Sequence, residues 1–118
     1  MAKIYCPQFE SLSSDVIGDC LRSTGVYLIT NTESGRDYVG CTATGFEHRW
    51  SMHISQANRG NHHNRKLQED WSRTESIWQF SILIICNSKD VLELEDAFIR
   101  KIQPFYNHHR RARLASAA

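Results

Sequence analysis

Long apolar runs are absent from this chain of 118 residues. The longest, Ile82–Cys86, is far shorter than the roughly 20 apolar residues that cross a bilayer, so we expect no membrane association. The N-terminus lacks a basic segment followed by an apolar core and a small-residue cleavage site, which predicts a cytoplasmic location. The four cysteines form no CxxC pair and no zinc-finger spacing with histidine. Structural zinc and disulfides are therefore disfavoured, and small thiols within the fold are the favoured interpretation.

Net charge is also nearly absent, because the formal value is +1 at pH 7, and this does not by itself indicate a nucleic-acid-binding protein. The basic residues are unevenly distributed, however. Arg59, Arg65 and Lys66 surround a polar loop, and Arg110 and Arg111 lie in the C-terminal tail. Such patches can contact phosphates even when the total charge is small, although a solvated surface explains each patch equally well. The length suits one compact domain.

A hairpin is the clearest local structure. Segment 25–30 is rich in β-branched and aromatic residues and predicts a strand, 37–41 predicts a second strand, and the polar residues between them predict a turn. If pairing centres on the Glu33–Ser34 step, Tyr27 lies opposite Gly40 on one face. A tyrosine across from a glycine should leave open space beside it, as a cleft would need.

Helical periodicity follows the hairpin. Thr44 and Glu47 match a capping box, apolar residues recur at helical spacing from Phe46, and Gly60 should end this helix. The other predicted elements are a short N-terminal helix over 15–21 capped by Ser13 or Ser14, a helix over 64–73, a buried strand over 77–86 and a helix over 91–102 capped by Ser88 or Asp90 and stopped by Pro104. This order predicts an α+β fold, with a small three-stranded antiparallel or mixed sheet flanked by helices.

One acidic residue lies on the apolar face of the last predicted helix. At 100° per residue, Glu95 lies in the middle of the apolar arc that includes Leu94, Phe98 and Ile102. A buried carboxylate costs about several kcal/mol unless it is paired or binds a cation. A buried salt bridge to Arg49 is one interpretation. A metal ligand at the floor of a cleft is the other, and we favour it because other polar groups converge on the same region.

Two of these polar groups share one side of the helix that begins near Phe46. Arg49 and His53 are four residues apart and lie beside its apolar arc, where they suit a phosphate-binding edge. Alone, Arg49 is more often a surface charge and His53 a core histidine. His62 and His63 lie in the loop after this helix, and either could reach the same cleft.

Taken together, these positions resemble the GIY-YIG nuclease family over about residues 25–107. Each motif is weak alone, but the full set in order is a specific signal. Val26 replaces the isoleucine of the family name, and Cys41 stands where some relatives have lysine. The matching positions, in order, are Gly25–Tyr27, Tyr38–Gly40, Arg49, His53, the segment containing His62, Asn64 and Leu67, then Glu95, and finally Pro104–Asn107.

The resemblance implies hydrolysis of a phosphodiester bond of DNA. Glu95 would be the single protein ligand of Mg²⁺ or Mn²⁺, Tyr27 the general base for the attacking water, and Arg49 the group that neutralises charge in the transition state. Because a free tyrosine has a pKa of about 10, Tyr27 must be activated by the ion, by Arg49 and by neighbouring hydrogen bonds. The remaining implied site residues are Tyr38 and His53, either of which could hydrogen-bond to Tyr27, and Asn107, which would hold the site together.

The boundaries that follow are an N-terminal extension with a short helix (1–24), a nuclease domain (25–107) and a basic tail (108–118). A module of this size would suit a phage or mobile element, nicking or cutting both strands, with a dimer or an accessory partner supplying targeting. The alternatives are a catalytically silent nucleic-acid-binding module of the same fold and, less favoured, a zinc-binding regulator. The predicted DNA contacts are Arg59, His62, His63, Arg65, Lys66, Arg110 and Arg111.

Overall fold

Three antiparallel strands form a sheet in the computed structural model, which describes residues 4–73 and 77–107. The strands are β1 (Gly25–Asn31), β2 (Arg36–Thr42) and β3 (Trp78–Ile85), in the spatial order β2-β1-β3. The α-helices of these described residues are α1 (Ser14–Arg22), α2 (Phe46–Asn58), α3 (Arg65–Arg73) and α4 (Val91–Ile102). Short 3-10 turns cover Pro7–Phe9, Ser88–Asp90 and Phe105–Asn107. The predicted α+β class, with a small three-stranded sheet flanked by helices, is confirmed.

The hairpin pairs in the predicted register, with Tyr27 opposite Gly40. Asn31 closes the turn, because its side-chain oxygen accepts hydrogen bonds from the backbone N–H groups of Glu33 at 3.0 Å and Ser34 at 3.4 Å. An asparagine that bonds to the backbone two residues later is a common turn device. The turn chemistry therefore fixes which residues face each other, and with them the position of Tyr27.

The predicted capping box at the start of α2 is wrong. The residue at the N-cap is Gly45, at φ 118°, and no side chain caps the helix there. Instead, the hydroxyl of Thr42 accepts hydrogen bonds from the backbone N–H groups of Thr44 and Gly45, both at 3.1 Å. Thr42, the last residue of β2, therefore stabilises the turn that leads into α2.

The end of α2 follows the prediction. Gly60 takes φ 79°, its backbone N–H bonds to Ala57 O at 3.1 Å, and the N–H of Asn61 reaches back to Gln56 O at 3.0 Å. These two bonds form the common glycine-terminated helix end. The loop that leaves α2 is thereby directed back over the helix, towards the start of α3.

The strand expected to be buried, Ile77–Cys86, lies at an edge of the sheet, and β1 takes the centre. Its apolar end is only partly covered, since Ile85 is 51% exposed. The backbone edge of β3 is occupied by the N-terminal segment. Tyr5 O accepts from the N–H of Phe80 at 2.8 Å, and the side chain of Gln8 bonds to both the N–H and the C=O of Ile82. A distant segment therefore protects this edge.

Two apolar clusters cover the two faces of the sheet. On one face, Tyr27 and Phe80 pack with residues of α2 and α3, including Trp50 and Leu67. On the other face, Val26 and Val39 pack against Ile99 of α4. Since side chains alternate along a strand, β1 supplies Tyr27 to one layer and Val26 to the other. The α4 helix therefore approaches the sheet from the face opposite Tyr27.

The N-terminal residues pack against the first of these clusters. The hydroxyl of Ser13 caps α1 by accepting from the N–H of Val16 at 3.3 Å, as predicted. In α4, Asp90 occupies the N-cap position, but its side chain makes no capping bond. Of the helices in residues 4–73 and 77–107, none has the length and apolar character to cross a bilayer. The partly buried residues that the N-terminal part adds to the core are Ile4, Cys6, Phe9 and Leu21.

Candidate active site

The ring of Tyr27 lies directly on Gly40. A Cβ built on Gly40 would lie 2.5 Å from Cζ and Oη of Tyr27, a distance that real Cβ atoms do not tolerate. Tyr27 is 0% exposed. The prediction of open space beside Tyr27 is therefore wrong, because the tyrosine ring fills the volume that a side chain at position 40 would occupy. Gly40 is required because any side chain at this position would occupy the volume of the Tyr27 phenol.

Replacing Gly40 by alanine should displace Tyr27. We expect Gly40→Ala to lower the free energy of unfolding by about 1–3 kcal/mol, because the added methyl group overpacks the core, and to reduce any activity that depends on the tyrosine hydroxyl. Urea unfolding measures the first effect. Gly18→Ala on α1 is the matched control, since its Cβ would meet only the flexible side chain of Arg22. Equal stability of Gly40→Ala and the unmodified chain would contradict the predicted close contact.

Aromatic edges hold Tyr27 in place. Its ring meets Phe46 edge-on at 6.3 Å and Trp50 at 6.1 Å between centroids. Edge-to-face pairs of this kind are favourable because the positive rim of one ring meets the negative face of another. The side chain therefore has one orientation, in which Oη points to α2 at His53.

Three hydrogen bonds in series lead away from the hydroxyl. Oη of Tyr27 lies 2.5 Å from Nε2 of His53, and Nδ1 of His53 lies 2.6 Å from Nε2 of His62. Nδ1 of His62 then accepts the backbone N–H of Asn64 at 3.0 Å. His53 and His62 are 3% and 6% exposed. The loop after α2 thus folds back so that two histidines nine positions apart form one buried chain.

A second tyrosine and a third histidine line the same site. Oη of Tyr38 lies 3.3 Å from Nε2 of His63, and the rings of His62 and His63 stack with centroids 4.5 Å apart. Tyr38 also meets His53 edge-on at 5.4 Å. His63 is exposed, whereas the other three side chains are buried. The site therefore has a buried inner part, formed by Tyr27, His53 and His62, and an outer edge at His63.

Arg49 lies next to this inner part. Its positive charge acts on the Tyr27 hydroxyl and also on His53 and His62. Burial raises the pKa of Tyr27 well above its ordinary value, and Tyr38 adds to this, while Arg49 opposes it. The phenol is consequently protonated at neutral pH unless a further positive charge arrives.

Both inner histidines are neutral at pH 7. Burial, followed by the charges of His62, Arg49 and His63, lowers the pKa of His53 to about 2. Burial, followed by the charges of His63 and Arg49, lowers the pKa of His62 to about 4. Each imidazole therefore carries a single proton on one nitrogen, and hydrogen bonds decide which nitrogen it is.

Glu95 points inward, as its helical position predicts: it lies on α4 and is 3% exposed. No group of three or more His, Cys, Asp or Glu side chains within 4–73 and 77–107 is arranged to hold a metal ion. A buried single carboxylate fits an ion that keeps most of its waters, such as Mg²⁺, and does not fit a closed zinc site. The carboxylate of Glu95 could therefore provide one ligand to a divalent ion.

Asn107 holds the outer strand. Its Oδ1 accepts from the N–H of Val39 at 2.7 Å, and its Nδ2 donates to Val39 O at 2.8 Å. An asparagine side chain can replace a neighbouring strand in this way, because it offers one donor and one acceptor. Asn107 is 1% exposed and bonds to the residue between Tyr38 and Gly40.

Residues 23–109 match the model of the GIY-YIG catalytic domain. The chain belongs to this family. The relatives include Intron-associated endonuclease 1 of Enterobacteria phage T4, which is 34% identical over 86 residues, covering 71% of this chain and 35% of that protein. The chain therefore spans about a third of the length of this curated relative. The predicted family is confirmed.

Solved structures support the same assignment for the fold. The catalytic domain of the homing endonuclease I-TevI matches with a TM-score of 0.63 and 28% identity, over 68% of this chain and 88% of that one. A glutamate-to-alanine variant of that I-TevI domain matches with a TM-score of 0.64 and 28% identity, over 69% and 84% of the two chains. The GIY-YIG fold is therefore present here almost in full, and the N-terminal residues 4–22 lie before the part that the family model matches.

The predicted site residues divide into two groups within this GIY-YIG domain. The structure brings Tyr27, Tyr38, Arg49 and His53 together on one face of the sheet, whereas Glu95 approaches from the α4 layer. His62 was expected among the DNA contacts, but it is buried and both its ring nitrogens are bonded, so it belongs to the inner part of the site. Its neighbour His63 keeps an exposed position.

The predicted basic contacts lie on the surface. Arg59 follows the last turn of α2, and Arg65 and Lys66 open α3, all three exposed. Lys66 also lies 3.9 Å from Glu69. Arg110 and Arg111 lie outside the described residues, as does the rest of the predicted tail.

Sequence reasoning missed a buried aspartate. Oδ2 of Asp70 accepts from the Tyr106 hydroxyl at 2.5 Å and from Arg36 at 3.0 Å, and the Arg36 guanidinium lies over the Phe105 ring, 4.1 Å from its centroid. These bonds join the hairpin, α3 and the 3-10 turn that carries Asn107. A signal was available, because Asp70 is three residues after the inward-facing Leu67 and therefore shares its side of the helix.

Proposed function

We propose that this chain is an endonuclease that hydrolyses phosphodiester bonds of DNA with a divalent ion, Mg²⁺ or Mn²⁺. One observation carries the proposal: the hydroxyl of Tyr27, on the first motif of a GIY-YIG domain, lies 2.5 Å from Nε2 of His53 and is acted on by the positive charge of Arg49. A phenol in the core of a sheet has no structural need for two such neighbours. A base that must carry negative charge does.

Glu95 is the proposed ligand of the ion. Its buried carboxylate provides one oxygen ligand, which leaves the remaining positions of a magnesium-type ion to water and phosphate. When bound, the ion supplies polarisation of the scissile phosphate and stabilises charge on the departing 3′ oxygen.

Tyr27 is the proposed base. The oxygen of a water molecule forms a bond to phosphorus, its proton passes to the Tyr27 oxygen, and the bond between phosphorus and the 3′ oxygen breaks. Because burial raises the pKa of Tyr27, its hydroxyl must first lose its proton to a solvent water molecule, and Arg49 favours the ionised form. The resulting phenolate is stabilised in place by Arg49 and by the bond to His53.

Arg49 has a second proposed task. Its side chain is only partly buried, and its charge acts on the tyrosine hydroxyl, beside which a scissile phosphate would be attacked. A guanidinium binds phosphate through two parallel hydrogen bonds, so Arg49 could neutralise the charge that develops on the phosphate oxygens.

The DNA path is proposed to follow the exposed basic residues. His63 forms the outer edge of the site, and Arg59, Arg65 and Lys66 lie near it on the loop after α2 and the start of α3. Arg110 and Arg111 of the tail would add contacts. One site cuts one strand, so double-strand cleavage would need a dimer or two successive binding events. Targeting to a particular DNA sequence would need an accessory partner. A phage or mobile-element origin is proposed by analogy with the T4 relative, and cytoplasmic action would follow from it.

Removal of the metal tests the proposal. Supercoiled plasmid incubated with the purified chain and Mg²⁺ should become nicked or linear, and excess chelator should abolish the reaction, because the proposed transition state depends on the ion for several kcal/mol of stabilisation, or roughly 10³-fold in rate. Gel electrophoresis measures the products. Binding of DNA without cleavage in Mg²⁺ and in Mn²⁺ would favour the catalytically silent module instead.

A further inference from the structure

A series of hydrogen bonds runs from Asn64 through His62 and His53 to Tyr27, and each bond in it has a fixed direction. The backbone N–H of Asn64 can only donate, so Nδ1 of His62 must be an acceptor without a proton. His62 therefore carries its proton on Nε2. This nitrogen lies 2.6 Å from Nδ1 of His53 and donates to it. One backbone amide thus sets the tautomer of the first imidazole.

The same reasoning applies to the second imidazole. Nδ1 of His53 receives the proton of His62, so it cannot carry one, and the proton of His53 must be on Nε2. Nε2 lies 2.5 Å from Oη of Tyr27, and it donates there. The lowered pKa values of His53, about 2, and His62, about 4, agree with two neutral rings at pH 7.

Asn64, where this series of hydrogen bonds begins, is held in place by its own side chain and by its neighbours. The side chain of Asn64 caps α3, because its Oδ1 accepts from the N–H of Leu67 at 3.0 Å, and its Nδ2 donates to Tyr106 O at 2.6 Å. The backbone N–H of His62 donates to the side chain of Gln68 at 2.8 Å. Asn64 is 2% exposed. The amide that orients the histidines is therefore held by α3 and by the turn that follows α4.

We propose that His62 is a positioning residue, which keeps His53 in the tautomer protonated on Nε2 so that the Tyr27 oxygen always accepts a hydrogen bond from it. This rests on the proposed function of Tyr27 as the base. Since Nε2 of His53 is already protonated, His53 does not remove the tyrosine proton, and that proton points away from His53. With the opposite direction, the hydroxyl would donate to His53, and a phenolate formed at Tyr27 would face an unprotonated nitrogen that cannot stabilise its charge.

Nuclear magnetic resonance of the ¹⁵N-labelled chain at pH 7 tests the direction without any need for catalysis. Long-range ¹H–¹⁵N correlations distinguish a protonated ring nitrogen from an unprotonated one. We expect both His53 and His62 to show a protonated Nε2 and an unprotonated Nδ1. A protonated Nδ1 on His53 would overturn the proposal, even if the chain cuts DNA.

Two substitutions at His62 separate positioning from packing. His62→Gln keeps an N–H donor for His53 and should retain the His53 tautomer and cleavage. His62→Phe keeps a ring for stacking on His63 but removes the donor, so Nδ1-protonated His53 should appear and cleavage should fall by about 10- to 100-fold. An unchanged His53 tautomer in His62→Phe would overturn the role of His62.

The two proposals fail in different ways. If the unmodified protein has the expected tautomers but does not cut DNA in Mg²⁺ or Mn²⁺, the proposed direction of the hydrogen bonds stands and the nuclease function fails. If the chain cuts DNA while His53 carries its proton on Nδ1, the nuclease function stands and the positioning role fails.

Discussion

Tyr27→Phe should reduce the rate of DNA cleavage by about 10²- to 10⁴-fold, the contribution expected of a positioned general base. The substitution removes only the hydroxyl, and the ring can still pack on Gly40 and against Phe46 and Trp50. Single-turnover cleavage of a defined DNA duplex in Mg²⁺ measures the chemical step, and a gel-shift assay in Ca²⁺ should show unchanged DNA binding.

The matched control is Tyr106→Phe. It also removes a buried tyrosine hydroxyl with a 2.5 Å hydrogen bond, but that bond goes to Asp70, in the cluster that joins the hairpin to α3. Both variants should lose about 1–3 kcal/mol of stability, because each removes a hydrogen bond from a buried polar group. Only Tyr27→Phe should lose the chemical step. A Tyr27→Phe rate within threefold of the unmodified chain would remove tyrosine from the mechanism.

The pH dependence of the same rate provides a second check. Because burial raises the pKa of Tyr27, the ionised fraction is small at neutral pH and grows about tenfold per pH unit below that pKa. The rate should therefore rise from about pH 6 to about pH 8. His53 should contribute no inflection there, since its pKa of about 2 keeps it neutral throughout.

Glu95→Gln should abolish metal-dependent cleavage while leaving the fold intact. The amide has almost the same size as the carboxylate but no charge, so the divalent ion loses its proposed protein ligand. Loss of several kcal/mol of charge stabilisation corresponds to a decrease of roughly 10³-fold or more. Single-turnover cleavage in Mg²⁺ gives the rate, and electron paramagnetic resonance with Mn²⁺ reports ion binding independently of catalysis.

Glu93→Gln on the same helix is the control, because Glu93 is exposed and changes the net charge by the same amount. It should leave both the cleavage rate and Mn²⁺ binding unchanged. If Glu95→Gln cuts DNA at the rate of the unmodified chain, the ion is held elsewhere or is not needed. If it binds Mn²⁺ normally but does not cut, Glu95 acts on the substrate and the ligand assignment is wrong.

The sequence alone determined the features that depend on local pattern. Alternation along the strands and the polar turn gave the hairpin register that sets Tyr27 opposite Gly40. Helical periodicity identified Glu95 as an inward carboxylate, since 100° per residue fixes the angle between any two residues of one helix. The order and spacing of the motif residues then indicated the family, because both can be read directly from the sequence.

Only the tertiary structure decided the features that depend on residues distant along the chain. Residues 5–8 made β3 a covered edge strand, Thr42 stabilised the turn before α2 where a capping box was predicted, and the Tyr27 ring filled the space above Gly40. It also turned His62 from an expected DNA contact into a link between Asn64 and His53. Local periodicity sets which way a side chain points from its own element, but not which group from another element lies within hydrogen-bonding distance. The direction of the proton chain to Tyr27 therefore needed the folded loop.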